Sequence, residues 1–443
     1  MPGSVKISAW GMDVGVVSFD EGRAASFQYF PDFIDTGIEL SPLHMPLSEK
    51  VYSFPDNLAR DSSYADTFCG LPGLIADSLP EKFGNRLLGA WLAKQGRDFA
   101  DLSVAERLCY LGQRGMGALE FHPAQPGPAI EAEELDVSEL MDVAQKVLSK
   151  ASEDDISDQD LALEKLITVG TSAGGAKAKA IIAWNEQTQS IMSGQGELKP
   201  GYTHWLLKFD EVPNEEHADT SQIGRIEFAY HQMAVDCGIS MMPCELLEDG
   251  ERAHFMTQRF DRTPATQTVA SRKLHVQTYC GIAHADRNPP GQYGYEHLFK
   301  TARKLGLGQG DLDELFRRMV LNIVARNQDD HSKNHGFLYD DIERRWMLSP
   351  AYDICFSYKP GNPFISSHQM SCSGKRDSFV AQDLIDCART ADIKPVKAQR
   401  IINEVVGVAR YFPEYAESCG MREDISLSIN NSFRFGLGKN PRN

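Results

Sequence analysis

No two of the nine cysteines stand at CxxC spacing, and their number is odd. A disulfide framework and a zinc site are therefore poor readings, and a reducing compartment is the natural inference. No apolar run approaches the roughly 18 residues that a membrane span needs. Residues 1–20 carry no basic stretch followed by an apolar core. The chain is accordingly expected to be cytoplasmic, with no membrane partner. Positive charge is also in deficit: 45 Lys and Arg against 62 Asp and Glu leave a net charge of −17. Such a surface repels phosphate backbones and argues against direct nucleic-acid binding.

What is present is a large globular chain. Its 443 residues, 42% of them hydrophobic, predict two or three domains with ample core. Residues 5–10 and 25–30 alternate as strands do, and residues 87–94 turn helical. Residues 138–150 read as a helix opened by Ser138. The acidic segment 152–160 marks a domain boundary. Strands are expected over 178–184, 204–209 and 254–260, and a helix over 223–237 closed by Gly238. From Gly310 onward, Leu312, Leu315, Phe316, Met319, Val320, Ile323 and Val324 recur at three- and four-residue steps. They form one apolar helix face, with Asp311 as its N-cap. A hairpin is expected over 336–348 with its turn at Asp340 and Asp341, followed by helices from Ala381.

Between that helix and that hairpin lies the most polar stretch, Asn327-Gln328-Asp329-Asp330-His331-Ser332-Lys333-Asn334-His335. A loop held by rigid elements is a common seat of function. Asp329 and Asn334 have the Asp-x-x-x-x-Asn spacing of a kinase catalytic loop, in which the Asp orients or deprotonates the acceptor hydroxyl and the Asn binds magnesium. Asp353, a short hairpin later, supplies the second oxygen ligand that a hard cation needs. Taken alone the spacing is common and a solvated loop is the plainer account. A metal-hydrolase cluster of Asp329, Asp330, His331 and His335 is a third, but it lacks helical HxxxH geometry.

The upstream order of parts shifts this balance. Gly170, Gly174 and Gly175 interrupt a turn between two expected strands, where glycines let backbone N–H groups approach phosphates. Lys208 ends the strand that holds Trp205, Leu206 and Leu207, and suits the α and β phosphates of ATP. Glu227, on the next helix, is its candidate partner. Each part by itself has a bland explanation: a hairpin turn, a surface lysine, a surface glutamate. Together they give the order of a protein-kinase-like fold: glycine loop, strand lysine, helix glutamate, Asp-x4-Asn loop, aspartate.

With these residues the sequence resembles the HipA family of bacterial toxin kinases. Asp329-Asp330-His331-Ser332-Lys333-Asn334 is similar to the family's Asp-x-His-x-Lys-Asn loop. Residues 172–179, 205–209, Gln258-Arg259-Phe260-Asp261-Arg262 and Tyr352-Asp353 accompany it, and Asp77-Ser78-Leu79-Pro80 resembles the signature of the N-terminal domain. The resemblance implies an α+β, protein-kinase-like two-lobe fold, with a β-rich N-lobe over 151–265 and a helical C-lobe over 266–443. A small α/β domain over 1–150 would precede them.

It also implies ATP and Mg2+ as cofactors, Asp329 as catalytic base, and Asn334 and Asp353 as metal ligands. Lys208 becomes the phosphate lysine, and Gln258 to Phe260 the adenine hinge. His331 and Lys333 would contact phosphate or support the loop. Ser172, Gly174, Gly175 and Lys179 fall on the phosphate loop, with Ser172 where the family autophosphorylates. Implied partners are a protein substrate, in this family including aminoacyl-tRNA synthetases, and a helix-turn-helix antitoxin. The chain departs at Asp330, often glycine, where a second carboxylate is expected to alter metal binding or the pH profile. A small-molecule kinase and a nucleotide-binding pseudokinase are the rival functions. The intact set of Lys208, Asp329, Asn334 and Asp353 speaks against the latter.

Overall fold

The computed structural model describes residues 3–19, 25–53, 67–125, 135–149, 160–170, 175, 177–210, 222–250, 252–263 and 271–438. Three sheets organise them. The first is antiparallel, in the order β4-β3-β2-β1-β5, and comprises β1 (Ser4–Ala9), β2 (Met12–Ser18), β3 (Ser26–Tyr29), β4 (Tyr52–Ser53) and β5 (Glu120–His122). Val5, Ile7, Val17 and Phe27 of this sheet are fully buried.

The second sheet, ordered β7-β6-β8-β10-β9, is the β-rich lobe. Its strands are β6 (Lys179–Asn185), β7 (Ser190–Ser193), β8 (Thr203–Lys208), β9 (Cys244–Asp249) and β10 (Arg252–Gln258). One apolar cluster joins Ala180, Ile182, Trp205 and Leu207 of this sheet to three helices, Lys82–Lys94, Val137–Ser149 and Asp160–Gly170. The helix Ile223–Asp236 packs on β10 and ends where Gly238 takes φ 76°, a left-handed value that suits glycine.

The third sheet, β11 (His275–Thr278), β12 (Gly336–Asp340) and β13 (Arg345–Leu348), lies in the helical lobe. The expected apolar helix spans Gln309–Val324, with Leu312, Phe316, Met319, Val320, Ile323 and Val324 fully buried. The hairpin turn is closed by the Asp340 carboxylate, which accepts from the N–H groups of Ile342 and Glu343. The predicted tail helices are Ala381–Ala388, Pro395–Ala409, Phe412–Ser418 and Glu423–Ser432.

Two caps differ from expectation. Asp136, not Ser138, caps Val137–Ser149, accepting from Glu139 N at 3.0 Å. Ser138 lies inside the helix and donates to Asp249 at 2.9 Å. Asp311 is not the cap of Gln309–Val324: Gly308 is, and Asp311 reaches back from the third helical position to accept from Gly308 N at 3.0 Å.

Candidate active site

The long buried helix delivers the polar loop. Its last turn gives way at Arg326, whose φ of 56° turns the chain sharply outward. Asn327 fastens the loop's start, donating to Asn322 Oδ1 at 3.0 Å and to the carbonyl of Asp353 at 3.4 Å. Thus the loop and the strand-following aspartate are tied before any ligand arrives. Residues Ser332–Asn334 form a short 3-10 turn that swings Asn334 back, and its Nδ2 donates to the Asp329 carbonyl at 2.7 Å. That bond uses the amide's donor end, so the amide oxygen of Asn334 is the end left for a cation.

Asp329 is half-exposed at the loop's crest, with His331 Nε2 3.9 Å away. Partial desolvation by the surrounding protein raises its pKa; His331 opposes the shift, while Asp353 and Asp330 add to it. Asp330 does not face the site. It is fully buried, accepts from Tyr295 Oη at 2.6 Å and from Gln369 N at 2.8 Å, and meets His368 Nδ1 at 2.8 Å. The expectation that this second carboxylate would alter metal binding is therefore corrected, since it is spent on partners in the core; its expected influence on the pH profile is kept, because its charge helps raise the pKa of Asp329. Alternate residues of this tight loop point to opposite sides, so the carboxylate after Asp329 turns into the core.

From the β-rich lobe, Lys208 reaches across to both Glu227 on Ile223–Asp236 and Asp353. Asp353 adopts φ 53° to present its carboxylate there. Burial would lower the pKa of Lys208, but Asp353 and Glu227 drive it well above that of a free lysine. Burial likewise would raise that of Asp353, and Lys208 and Lys179 hold it far below the carboxylate range. Lys179 is the direct cross-strand partner of Lys208 and is buried. Burial lowers its pKa, Asp353 opposes this, and Lys208 reinforces it. Two lysines side by side would repel, so the facing carboxylates are what makes the pair tolerable. The amine of Lys179 lies against Gly175, where a Cβ would sit only 2.6 Å from it. Ser172 and Gly174 lie outside the described residues.

At the lobe junction, Gln258 N donates to Pro243 O and Arg259 N to His204 O, both at 2.9 Å. The segment after them is anchored by Asp261. This carboxylate takes two bonds from Arg259 (2.8 and 2.7 Å), one from Arg262 (2.7 Å), and one from the backbone of Gly117 (2.7 Å). Phe260 stacks on Tyr352, centroids 5.5 Å apart, and Tyr352 Oη donates to the Lys333 carbonyl at 2.8 Å. The Arg-Phe-Asp-Arg run is thereby linked, through Tyr352, to the polar loop that holds Asp329 and Asn334.

Sequence reading did not single out Glu81. It accepts from Lys333 at 2.9 Å and from Arg287 at 3.3 Å. Burial alone would raise its pKa, yet Lys333 and Arg287 hold it at about 2. Its neighbour Asp77 accepts from Thr278 N at 2.6 Å and from Thr278 Oγ1 at 2.7 Å, holding the residue whose hydroxyl caps the helix Tyr279–Ala283 by accepting from Gly281 N at 3.1 Å. The only hint in the sequence was position: Glu81 follows directly on Asp77-Ser78-Leu79-Pro80.

A magnesium ion suits this donor set. It takes one or two protein oxygens and completes its shell with water and substrate phosphates. Asn334 and Asp353 would be those ligands. Among the described residues no group of three His, Cys, Asp or Glu side chains forms a closed metal site.

Comparison with known proteins agrees with this geometry. The HipA-like C-terminal domain matches residues 171–411, and the HipA N-terminal domain matches residues 5–122. HipA of the Shewanella oneidensis MR-1 toxin–antitoxin system, solved with HipB and its operator DNA, superposes with TM-score 0.68. It is 16% identical, and the match covers 98% of this chain and 96% of that one. The Helicobacter pylori proinflammatory kinase CtkA aligns at TM-score 0.34 and 10% identity, over 54% of this chain and 91% of that one. A Sinorhizobium fredii protein named "Putative kinase Y4dM" is 31% identical over 99 residues. The match spans 22% of that relative's length and 22% of this chain. The fold is thus the kinase-like, two-lobe arrangement, in which helix and sheet are mixed.

Proposed function

The chain belongs to the HipA family, and on that premise we propose that it is an ATP- and magnesium-dependent kinase that phosphorylates serine or threonine hydroxyls of proteins. The observation that carries the reading is the meeting of Lys208, Glu227 and Asp353 next to a loop in which Asn334 is bonded to Asp329. Four separate segments supply these groups, a strand, a helix, the 327–335 loop and the stretch after the hairpin, and a solvated surface loop would not need them together.

The roles follow from chemistry. Lys208, kept charged by two carboxylates, neutralises phosphate oxygens, and Lys179 beside it adds a second cation. Asp329, with its pKa raised, accepts or orients the acceptor's hydroxyl proton as the γ-phosphoryl group moves in line. Bound magnesium, held by Asn334 and Asp353, would supply the remaining charge neutralisation. Gln258 to Phe260 form the base-binding hinge. His331 steadies Asp329, while Lys333, committed to Glu81, holds the loop. Self-phosphorylation at Ser172 would add nearly two negative charges to the phosphate loop and expel it from the ATP site; ATP affinity unaltered by a phosphate on Ser172 contradicts this. Since the Shewanella HipA was solved with HipB and operator DNA, a HipB-like helix-turn-helix protein is the proposed partner, with any DNA contact made through it. Growth arrest through an aminoacyl-tRNA synthetase is the proposed outcome, in the cytoplasm.

The test is γ-labelled ATP with magnesium and a bacterial lysate. Label recovered in protein as phosphoserine or phosphothreonine supports the reading. Label confined to small molecules transfers the chain to the small-molecule kinases, and label bound but never transferred to the pseudokinases.

A further inference from the structure

The segment after Asp353 is stapled to the catalytic loop at three levels. Nearest the site, Ser357 pairs with Asn327: Gln328 N donates to Ser357 O at 3.2 Å, and Ser357 N to Arg326 O at 3.1 Å. Deeper, Asp330 binds His368 Nδ1 at 2.8 Å and accepts from the backbone N–H groups of Gln369 (2.8 Å) and Met370 (3.4 Å). Burial disfavours the Asp330 charge, but His368 and the donors around it keep its pKa below the ordinary carboxylate value. Outermost, Asp377 accepts from Arg434 at 2.5 Å and lies 3.6 Å from Arg326. Arg434 also touches His368 Nε2 at 3.1 Å, and Arg326 stacks over Tyr358 with its guanidinium 4.3 Å from the ring centre. One chain of contacts therefore runs from the residue beside Asp329, through His368 and Arg434, to Asp377.

In kinases that are switched on by phosphorylation, a phosphate on this stretch orders it by pairing with arginines. Here two arginines, one of them at the entrance to the catalytic loop, already hold a carboxylate. We propose that Asp377, with Asp330 and His368, is a built-in clamp that fixes the acceptor-side segment 357–379 against the catalytic loop, so that protein phosphorylation needs no phosphate on that segment. Asp330, His368 and Asp377 are assigned as positioning residues, acting on the catalytic loop through their contacts with one another's partners, Arg434 and Arg326. This inference rests on the protein-kinase reading above.

The experiment compares full-length wild type, Asp377→Ala and Asp377→Glu. Hydrogen exchange follows the segment, ATP titration follows the nucleotide site, and labelled transfer to lysate protein follows function. Asp377→Ala is expected to speed exchange in 364–379 at least tenfold while exchange in Gln309–Val324 is unchanged. It should cut transfer about tenfold and leave ATP affinity within twofold. Asp377→Glu, which keeps the charge, should recover most of the transfer. Unchanged exchange, unchanged transfer, or equal loss of ATP affinity and transfer each overturns the clamp. Faster exchange in the variant, together with a wild type that labels no protein, retires the kinase reading and reduces the clamp to a structural contact.

Discussion

Replacing Glu81 by glutamine removes a charge and almost no volume from the junction between the N-terminal domain and the catalytic loop. The carboxylate lies 2.9 Å from Lys333 and 3.3 Å from Arg287, and its side chain is 17% exposed. Against burial, these two cations depress its pKa from 4.5 to about 2. That difference corresponds to about 3 kcal/mol of native-state stabilisation. Because the folded value is the lower one, the contribution is complete above pH 4.5 and disappears as pH falls towards 2. The assay is urea unfolding of wild type and Glu81→Gln at pH 7 and pH 3.5. The wild type should exceed the variant by about 3 kcal/mol at pH 7 and by about 2 kcal/mol at pH 3.5. A gap under about 1 kcal/mol at pH 7, or one that does not narrow on acidification, refutes the claim that Glu81 anchors the loop as an ion-paired carboxylate.

The neighbouring close approach gives a second prediction: Gly73→Ala drives a Cβ into the Gly281 carbonyl, which should cost about 1–3 kcal/mol in thermal unfolding. Wild-type stability in this variant would show that the two segments can separate freely. Lys208→Met leaves Glu227 and Asp353 facing each other without their cation; ATP affinity should fall at least about tenfold, measured by titration. The pH profile of transfer should have its acid limb above 3.8, because burial, Asp353 and Asp330 raise the pKa of Asp329. A limb at or below that value contradicts a proton-accepting Asp329.

The elements that sequence disclosed are those with strong periodicity. Gln309–Val324 stood out because seven apolar residues line one face, and the hairpin of β12 and β13 because Asp340 and Asp341 mark its turn. The pairing of Lys208 with Glu227 was legible from their order on a strand and the following helix. Short strands such as β4 and β5 were not, since two or three residues carry no period. Nor was the direction of Asp330: adjacent carboxylates look alike in sequence, and only the partners Tyr295, His368 and Gln369, drawn from up to 39 residues away, decide which one turns inward. Glu81 was hidden for the same reason, because its partner Lys333 lies 252 residues downstream.

The central claim is that Asp329 stands at the point of phosphoryl transfer, and intact mass after incubation with ATP and magnesium tests it most directly. Wild type and Asp329→Ala are compared alone and with lysate protein, and ATP affinity is measured for both. The account predicts phosphate transfer by the wild type and none by the variant, with ATP bound equally by the two. Equal transfer by Asp329→Ala would contradict it.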